Sequence, residues 1–251
     1  MAYKELLEKA REGTFGVDFT KLRYAYVKSP QFDPYTDKKT EYLNLIKEVS
    51  MEGFDNKNAA RVISALNHAL DDDYLEIAFH NVASTIYEKL GHQEKAKYHH
   101  RFAEGLIDSI LGSGDGGSFD SAYQVITVSE EYAILESMEA ICKKQHTVER
   151  GGHIYDVLEV VNEDDETEEV AKLYFNIDVP RGWLRRESSK SPNRENSLPP
   201  PNLDSSKAPN LDSSKAPNRE SSKAPIASDS TINQQPIWRS LMNYFRKEKG
   251  K

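Results

Sequence analysis

The stretch EGLIDSILGSGDGGSFDSAYQVITVSEEY, residues 104–132, marks a change in the hydrophobic period of the chain. Before the glycines, apolar residues recur every three or four positions, which is typical of a helix with one buried face. After them, YQVITV at 123–128 alternates and is rich in β-branched residues, which predicts a strand. The segment therefore joins a helical part to a β part.

On its N-terminal side the same period predicts helices over residues 3–10, 18–27, 40–51, 58–70, 75–90 and 94–111. Asp18 is a predicted N-cap, and Gly91 suits the left-handed position that ends a helix. The pattern L-G-H-x-E-K-A-x-x-x-H-x-x-A at 90–103 looks like half of a tetratricopeptide (TPR) unit. Only one such unit occurs, so we expect a TPR-like hairpin and not a repeat array.

On the C-terminal side, Ser129 is the predicted N-cap of a short helix with two glutamates in its first turn. Three strands follow at 145–152, 153–162 and 170–179, with Gly151–Gly152 as a two-residue hairpin turn. The predicted fold class is α+β, with an N-terminal helical part, then a small antiparallel sheet, then a disordered tail.

Composition divides the 251 residues near position 184. Residues 185–251 hold 13 basic and 7 acidic residues, whereas residues 1–184 hold 20 and 34, a net charge of −14. Residues 185–235 lack aromatic residues and contain the octapeptide repeats NLDSSKAP and NRESSKAP, which predicts a disordered Ser/Pro-rich linker. The predicted domains are thus a globular unit at 1–184, the linker at 185–235 and a terminal segment at 236–251.

The terminal segment PIWRSLMNYFRKEKGK predicts a basic amphipathic helix. Its docking face carries Trp238, Leu241, Met242 and Phe245 at helical spacing. Such a helix can bind a protein groove or an anionic membrane surface, or fold back on the acidic body.

Several segments resemble, in order, a bacterial family known only as a domain of unknown function. They are DFTKLRYAY at 18–26, FDPY at 32–35, EGLIDSILGSGDGGS at 104–118, AYQVITVSEEY at 122–132 and YFNID at 174–178. The resemblance covers about residues 1–180 and implies domain limits, without an activity.

The SGDGGS loop is the most unusual motif. Its glycines could present backbone N–H groups to an anion, but no G-K-[ST] follows, as a Walker loop requires. A divalent cation could be held there by Asp115, Asp120, Glu130 and Glu131, since hard cations prefer oxygen ligands. The alternative interpretation is a helix end with a tight turn leading into a strand.

Other chemistry has weaker signals. A metal site could pair His80 with His99 or His100 across the helical hairpin. Because Cys142 is the single cysteine, no internal disulfide can form, and a reducing compartment is indicated. Lys143 and Lys144 could lower the pKa of the Cys142 thiol. The acidic body argues against nucleic acid as a partner.

These features favour a non-catalytic protein-binding or adaptor protein whose flexible tail ends in a docking helix. No cofactor is expected on this interpretation. The alternative is a metal-dependent hydrolase or phosphate-handling enzyme using the SGDG loop and the Glu130/Glu131 pair. No apolar run could span a membrane and no signal peptide is evident, so we expect a cytoplasmic protein, or a secreted effector without a cleavable signal peptide.

Overall fold

The computed structural model describes residues 2–13, 16–35, 44–45, 56–162 and 170–190. Seven helices and four strands are assigned within these ranges. In chain order they are α1 (Tyr3–Glu12), α2 (Phe19–Val27), α3 (Asn56–Asp72), α4 (Ile77–Lys89), α5 (Gln93–Leu111), β1 (Tyr123–Gln124), α6 (Val128–Ser137), β2 (Ala140–Arg150), β3 (His153–Asn162), β4 (Ala171–Asn176) and α7 (Asp178–Lys190). The predicted α+β class, with helices before the sheet, is confirmed.

The helical part begins and ends its elements largely where local chemistry predicts. Asp18 accepts a hydrogen bond from the Lys21 N–H at 2.8 Å and caps α2. Gly91 has φ 76° after α4, and the His92 N–H donates back to the Tyr87 carbonyl at 2.8 Å. This Schellman geometry turns the chain directly into α5, so that α4 and α5 form a helical hairpin. The predicted helix at 40–51 lies mostly outside the described residues.

The sheet has the order β1-β4-β3-β2. The β2–β3 and β3–β4 pairs are antiparallel, as predicted, and Gly151 and Gly152 both have positive φ in the two-residue turn. The short β1 pairs with β4 in parallel, which makes the sheet mixed. The predicted strand at 123–128 ends after two residues because the Glu130 carboxylate accepts the Ile126 N–H and draws the chain into a helix.

The starts of α6 and α7 differ from the predictions in ways that have a local cause. The N-cap of α6 is Thr127 instead of Ser129. Helix α7 occupies residues predicted as the end of a strand, and it extends to Lys190, beyond the predicted domain limit at 184. Pro180 explains the helix start, because proline suits a first turn and cannot donate in a sheet ladder. The rest of the predicted linker and the segment 236–251 lie outside the described residues.

Two hydrophobic clusters hold the described residues together. The main core lies between the sheet and α1, α2, α5 and α6, with Phe102, Ile134, Leu158 and Phe175 among its buried members. A second core joins α3 to the helical hairpin through Leu66, Phe79 and Ile86. The small Ala96 and Ala103 are buried on α5, as the close packing of the hairpin requires. None of the helices in the described ranges is long and apolar enough to cross a bilayer.

Candidate functional site

The SGDGGS loop is closed by its own hydrogen bonds. Asp115 accepts from the Gly117 N–H at 2.8 Å and from the Ser121 hydroxyl at 2.5 Å. Both hydrogen bonds lower the pKa of the Asp115 carboxyl group, and the bond from the Ser121 hydroxyl has the larger effect. The N–H groups of Asp115 and Gly116 both donate to the Ser121 carbonyl, at 3.1 and 2.9 Å. The aspartate and the backbone therefore shape a tight turn.

The glycines of this loop are explained by close packing. A Cβ at Gly114 would lie 2.2 Å from the Ser121 carbonyl oxygen, and one at Gly116 would lie 2.3 Å from the Tyr123 ring. Gly116 also has φ 67°, which favours glycine. Its carbonyl accepts from the Tyr174 N–H at 2.9 Å and fastens the loop to β4. These contacts favour the tight-turn interpretation of the motif.

Glu130 is the counter-ion of a buried arginine. Its two carboxylate oxygens accept from Arg23 Nε at 2.8 Å and Nη2 at 2.6 Å, and the two side chains are 5% and 1% exposed. Arg23 also donates to the Gln124 carbonyl at 2.9 Å and to the Ser109 hydroxyl at 3.2 Å. This network ties α2 to α5, β1 and α6, so Glu130 has a structural role.

Glu131 is fully buried, and neither of its carboxyl oxygens has a hydrogen-bond partner. Burial raises the pKa of Glu131 well above its usual value, and the nearby Asp156 and Glu130 raise it further. A buried carboxylate without a donor is strongly disfavoured, so folding favours the protonated form of this carboxyl group.

Asp156 is another buried acid, and it lies near Glu131. It lies on β3, on the face that Ile154 and Leu158 turn toward the main core. It accepts from Gln145 Nε2 at 3.0 Å and from the Thr147 hydroxyl at 2.5 Å, both on β2. Asp156 was not among the predicted site residues, although a single acid among apolar residues that alternate along the same strand is a visible signal.

Further polar groups lie near the two acids. The Tyr35 and Tyr132 hydroxyls both lie near Glu131 and Asp156, and Arg181 hydrogen-bonds to Tyr35. Burial is the main cause of the raised pKa of both tyrosines. The sequence around Tyr35 and Arg181 contains no signal that predicts their position near Glu131 of α6.

The four carboxylates predicted as a cation site serve different contacts. Asp115 closes its own loop, and Asp120 is exposed. Glu130 pairs with Arg23, and Glu131 is fully buried. Within the described ranges, no three His, Cys, Asp or Glu side chains converge as metal ligands.

His80 and His99 do meet across the helical hairpin, with their Nδ1 atoms 3.0 Å apart. His80 Nε2 lies 2.9 Å from the Tyr74 carbonyl, which can only accept, so this nitrogen carries the proton. His80 Nδ1 must then accept from the His99 Nδ1–H. Burial lowers the pKa of His80 to about 3 and that of His99 to about 4, so both rings are neutral.

Cys142 lies on β2, next to an irregularity in the pairing with β3. Burial raises the pKa of its thiol to about 11, against the lowering that the adjacent lysines suggested. It is therefore not an activated nucleophile. The four predicted docking residues, Trp238, Leu241, Met242 and Phe245, lie outside the described residues.

Comparison with known proteins adds a family. No curated protein and no solved structure matches the chain. A family model described as a domain of unknown function (DUF4919) matches residues 1–185, in agreement with the resemblance found in the sequence. The match covers most of the chain and ends within α7. The chain therefore belongs to the DUF4919 family.

Proposed function

We propose that the protein is a non-catalytic binding or adaptor protein that engages a protein partner through residues 236–251. The observation that best supports the proposal is the buried Arg23–Glu130 pair. The enzymatic alternative needs the Glu130 carboxylate, whereas this pair gives that carboxylate a structural role. Asp115, the other central residue of that alternative, is engaged within its own turn.

The terminal segment supplies the binding chemistry. The spacing of its apolar positions places them on one face if the segment forms a helix, and Arg239, Arg246 and Lys247 add positive charge. A groove with apolar floor and acidic rim is the complementary surface on a partner protein. A disordered linker, as the sequence predicts, would give this segment reach, and the hairpin of α4 and α5 would offer a second, TPR-like surface for protein contacts.

The compartment belongs to the same proposal. A single cysteine suits an adaptor in the reducing cytoplasm. Secretion without a cleavable signal peptide is the alternative, and fractionation of cells that express the full chain distinguishes the two.

The test compares the full chain with a variant lacking residues 236–251 and with the double variant Trp238→Ala/Phe245→Ala. Asn243→Ala, on the polar side of the same segment, is the matched control. Crosslinking in cells followed by mass spectrometry should recover one partner with the full chain and the control, and lose it with both other variants.

Vesicles containing anionic phospholipid are tested in parallel. Vesicle binding that depends on Trp238 and Phe245, without a crosslinked protein, would replace the protein partner by a membrane surface. Recovery of the same partner by the truncated chain would overturn the proposal.

A further inference from the structure

The outer face of the sheet carries a histidine whose orientation is fixed. His153 Nδ1 lies 2.5 Å from Asp178 Oδ2. Asp178 is itself held by the Ile154 N–H at 2.8 Å and by Asn176 Nδ2 at 3.3 Å. Because the carboxylate accepts at Nδ1, the other ring nitrogen, Nε2, is left for a ligand. The His153 side chain is 58% exposed, so a ligand can approach the ring from solvent.

Arg150 lies beside this histidine. The two residues are directly paired across the β2–β3 hairpin, so their side chains project from the same face. The Arg150 guanidinium stacks over the Phe119 ring at 4.7 Å, and no carboxylate pairs with it among the described residues. Stacking uses the face of the guanidinium and leaves its N–H edge free.

An aromatic bed adjoins the two basic groups. Phe119 follows the SGDGGS loop and packs against Tyr155 at 5.1 Å and Tyr174 at 4.7 Å, edge to face. Phe119 therefore connects the SGDGGS loop to this aromatic bed. Phe119 and Tyr174 are both partly exposed.

We infer that Arg150 and His153 form a binding site for a phosphate group borne on a planar, ring-containing ligand. His153, held at Nδ1 by Asp178, presents Nε2 to one phosphate oxygen, and Arg150 donates from its N–H edge to a second phosphate oxygen. The aromatic bed receives the ring. This site uses none of the residues of the terminal segment and goes beyond the proposed binding function.

The acidic body makes the site selective. A net charge of −14 over residues 1–184 repels anions in general, so an anion binds only where local donors outweigh this field.

The test is a titration of the full, isotope-labelled chain with phenyl phosphate, followed by NMR of the His153 and Phe119 ring signals. We expect saturable shifts of both rings. Arg150→Gln should weaken binding by about tenfold or more, the loss of one charge-assisted contact. Since Arg150 is exposed, this variant should fold, and its dispersed spectrum verifies that.

Lys144→Gln is the matched control, because Lys144 is an exposed cation on the same face of β2. It should bind phenyl phosphate as the wild type does. Equal weakening by both substitutions would indicate diffuse electrostatics and overturn the site, as would the absence of saturable shifts. Inorganic phosphate should bind more weakly than phenyl phosphate; equal affinities would refute the role of the aromatic bed.

Discussion

Arg23 and Glu130 show most clearly how single residues stabilise this fold. Arg23→Met removes the charge but keeps much of the apolar volume, and leaves Glu130 buried without its partner. We expect the free energy of unfolding to fall by about 3–5 kcal/mol, the usual cost of breaking a buried ion pair from one side. Urea denaturation of both proteins at neutral pH measures the change.

Arg11→Met is the matched control. Arg11 pairs with Asp71 at 3.2 Å, but the two side chains are 41% and 74% exposed. Such a surface pair contributes about 0–1 kcal/mol. A similar loss from both substitutions would contradict the structural role assigned to the Arg23–Glu130 pair.

Glu131 should destabilise the protein as the pH rises. Its pKa is higher in the folded chain than the 4.5 of an exposed glutamate, so the folded state keeps a proton that the unfolded chain releases. Its contribution is most favourable below about pH 4.5 and weakens above it by about 1.4 kcal/mol per pH unit. Glu131→Gln keeps the shape and removes this titration.

Thermal unfolding of wild type and Glu131→Gln at pH 5 and pH 8 is the measurement. The variant should gain stability relative to wild type at pH 8 and much less at pH 5. Parallel pH profiles of the two proteins would show that Glu131 is ionised in the folded chain.

The residues that sequence reasoning selected around α6 were adjacent in the chain, and their partners were not. Glu130 and Glu131 were recognisable as a pair, but their divergent environments depend on Arg23 and Asp156, which lie far away in sequence. Helical geometry separates neighbouring side chains by about 100°, so two adjacent acids meet different partners. A shared cation site therefore could not be predicted from their spacing.

At the scale of elements, Gly105 sets how closely α2 approaches α5. A Cβ at this position would lie 2.2 Å from the Phe19 ring. Replacing glycine by alanine inside a helix normally stabilises it by about 1 kcal/mol. Here we expect Gly105→Ala to destabilise the protein, because overpacking costs about 1–3 kcal/mol and exceeds that gain.

The double variant Phe19→Ala/Gly105→Ala tests this reasoning by thermal unfolding. In the Phe19→Ala background the clash is absent, so Gly105→Ala should there become neutral or stabilising. If Gly105→Ala destabilises both backgrounds equally, the contact with Phe19 is not the cause.

Periodic elements were predictable and the irregular ones were not. The α4–α5 hairpin and the β2–β3 hairpin follow from hydrophobic period, from Gly91 and from the Gly151–Gly152 turn. The length of β1 was not predictable, because a side chain four residues on, Glu130, takes the Ile126 N–H. Helix α7 was missed because its apolar residues Val179 and Trp183 continue the strand composition of β4.

For the whole molecule, buried acids and buried histidines make opposite contributions to stability as the pH changes. Burial raises the pKa of Glu76 and Glu136 to about 7, so the stability they contribute is present below about pH 4.5 and declines as the pH rises toward 7. His80 and His99 have lowered pKa values, so their contribution is present above about pH 6.5 and declines as the pH falls. Between pH 4.5 and 6.5 the two groups oppose each other.

Below about pH 4.5 Glu76 and Glu136 are protonated in both states and no longer oppose the histidines, which act until their own pKa values of about 4 and 3 are reached. We therefore expect stability to fall steeply below pH 4.5, by up to about 1.4 kcal/mol per pH unit for each histidine. Denaturant unfolding from pH 6.5 to 3.5 measures this slope.

The non-titrating double variant His80→Gln/His99→Asn should show a shallower slope, whatever its absolute stability. His68→Gln, which removes a histidine that is 74% exposed, should keep the wild-type slope. If the double variant follows the wild-type profile, the acid sensitivity originates in other groups, and the neutral His80–His99 hydrogen bond does not control it.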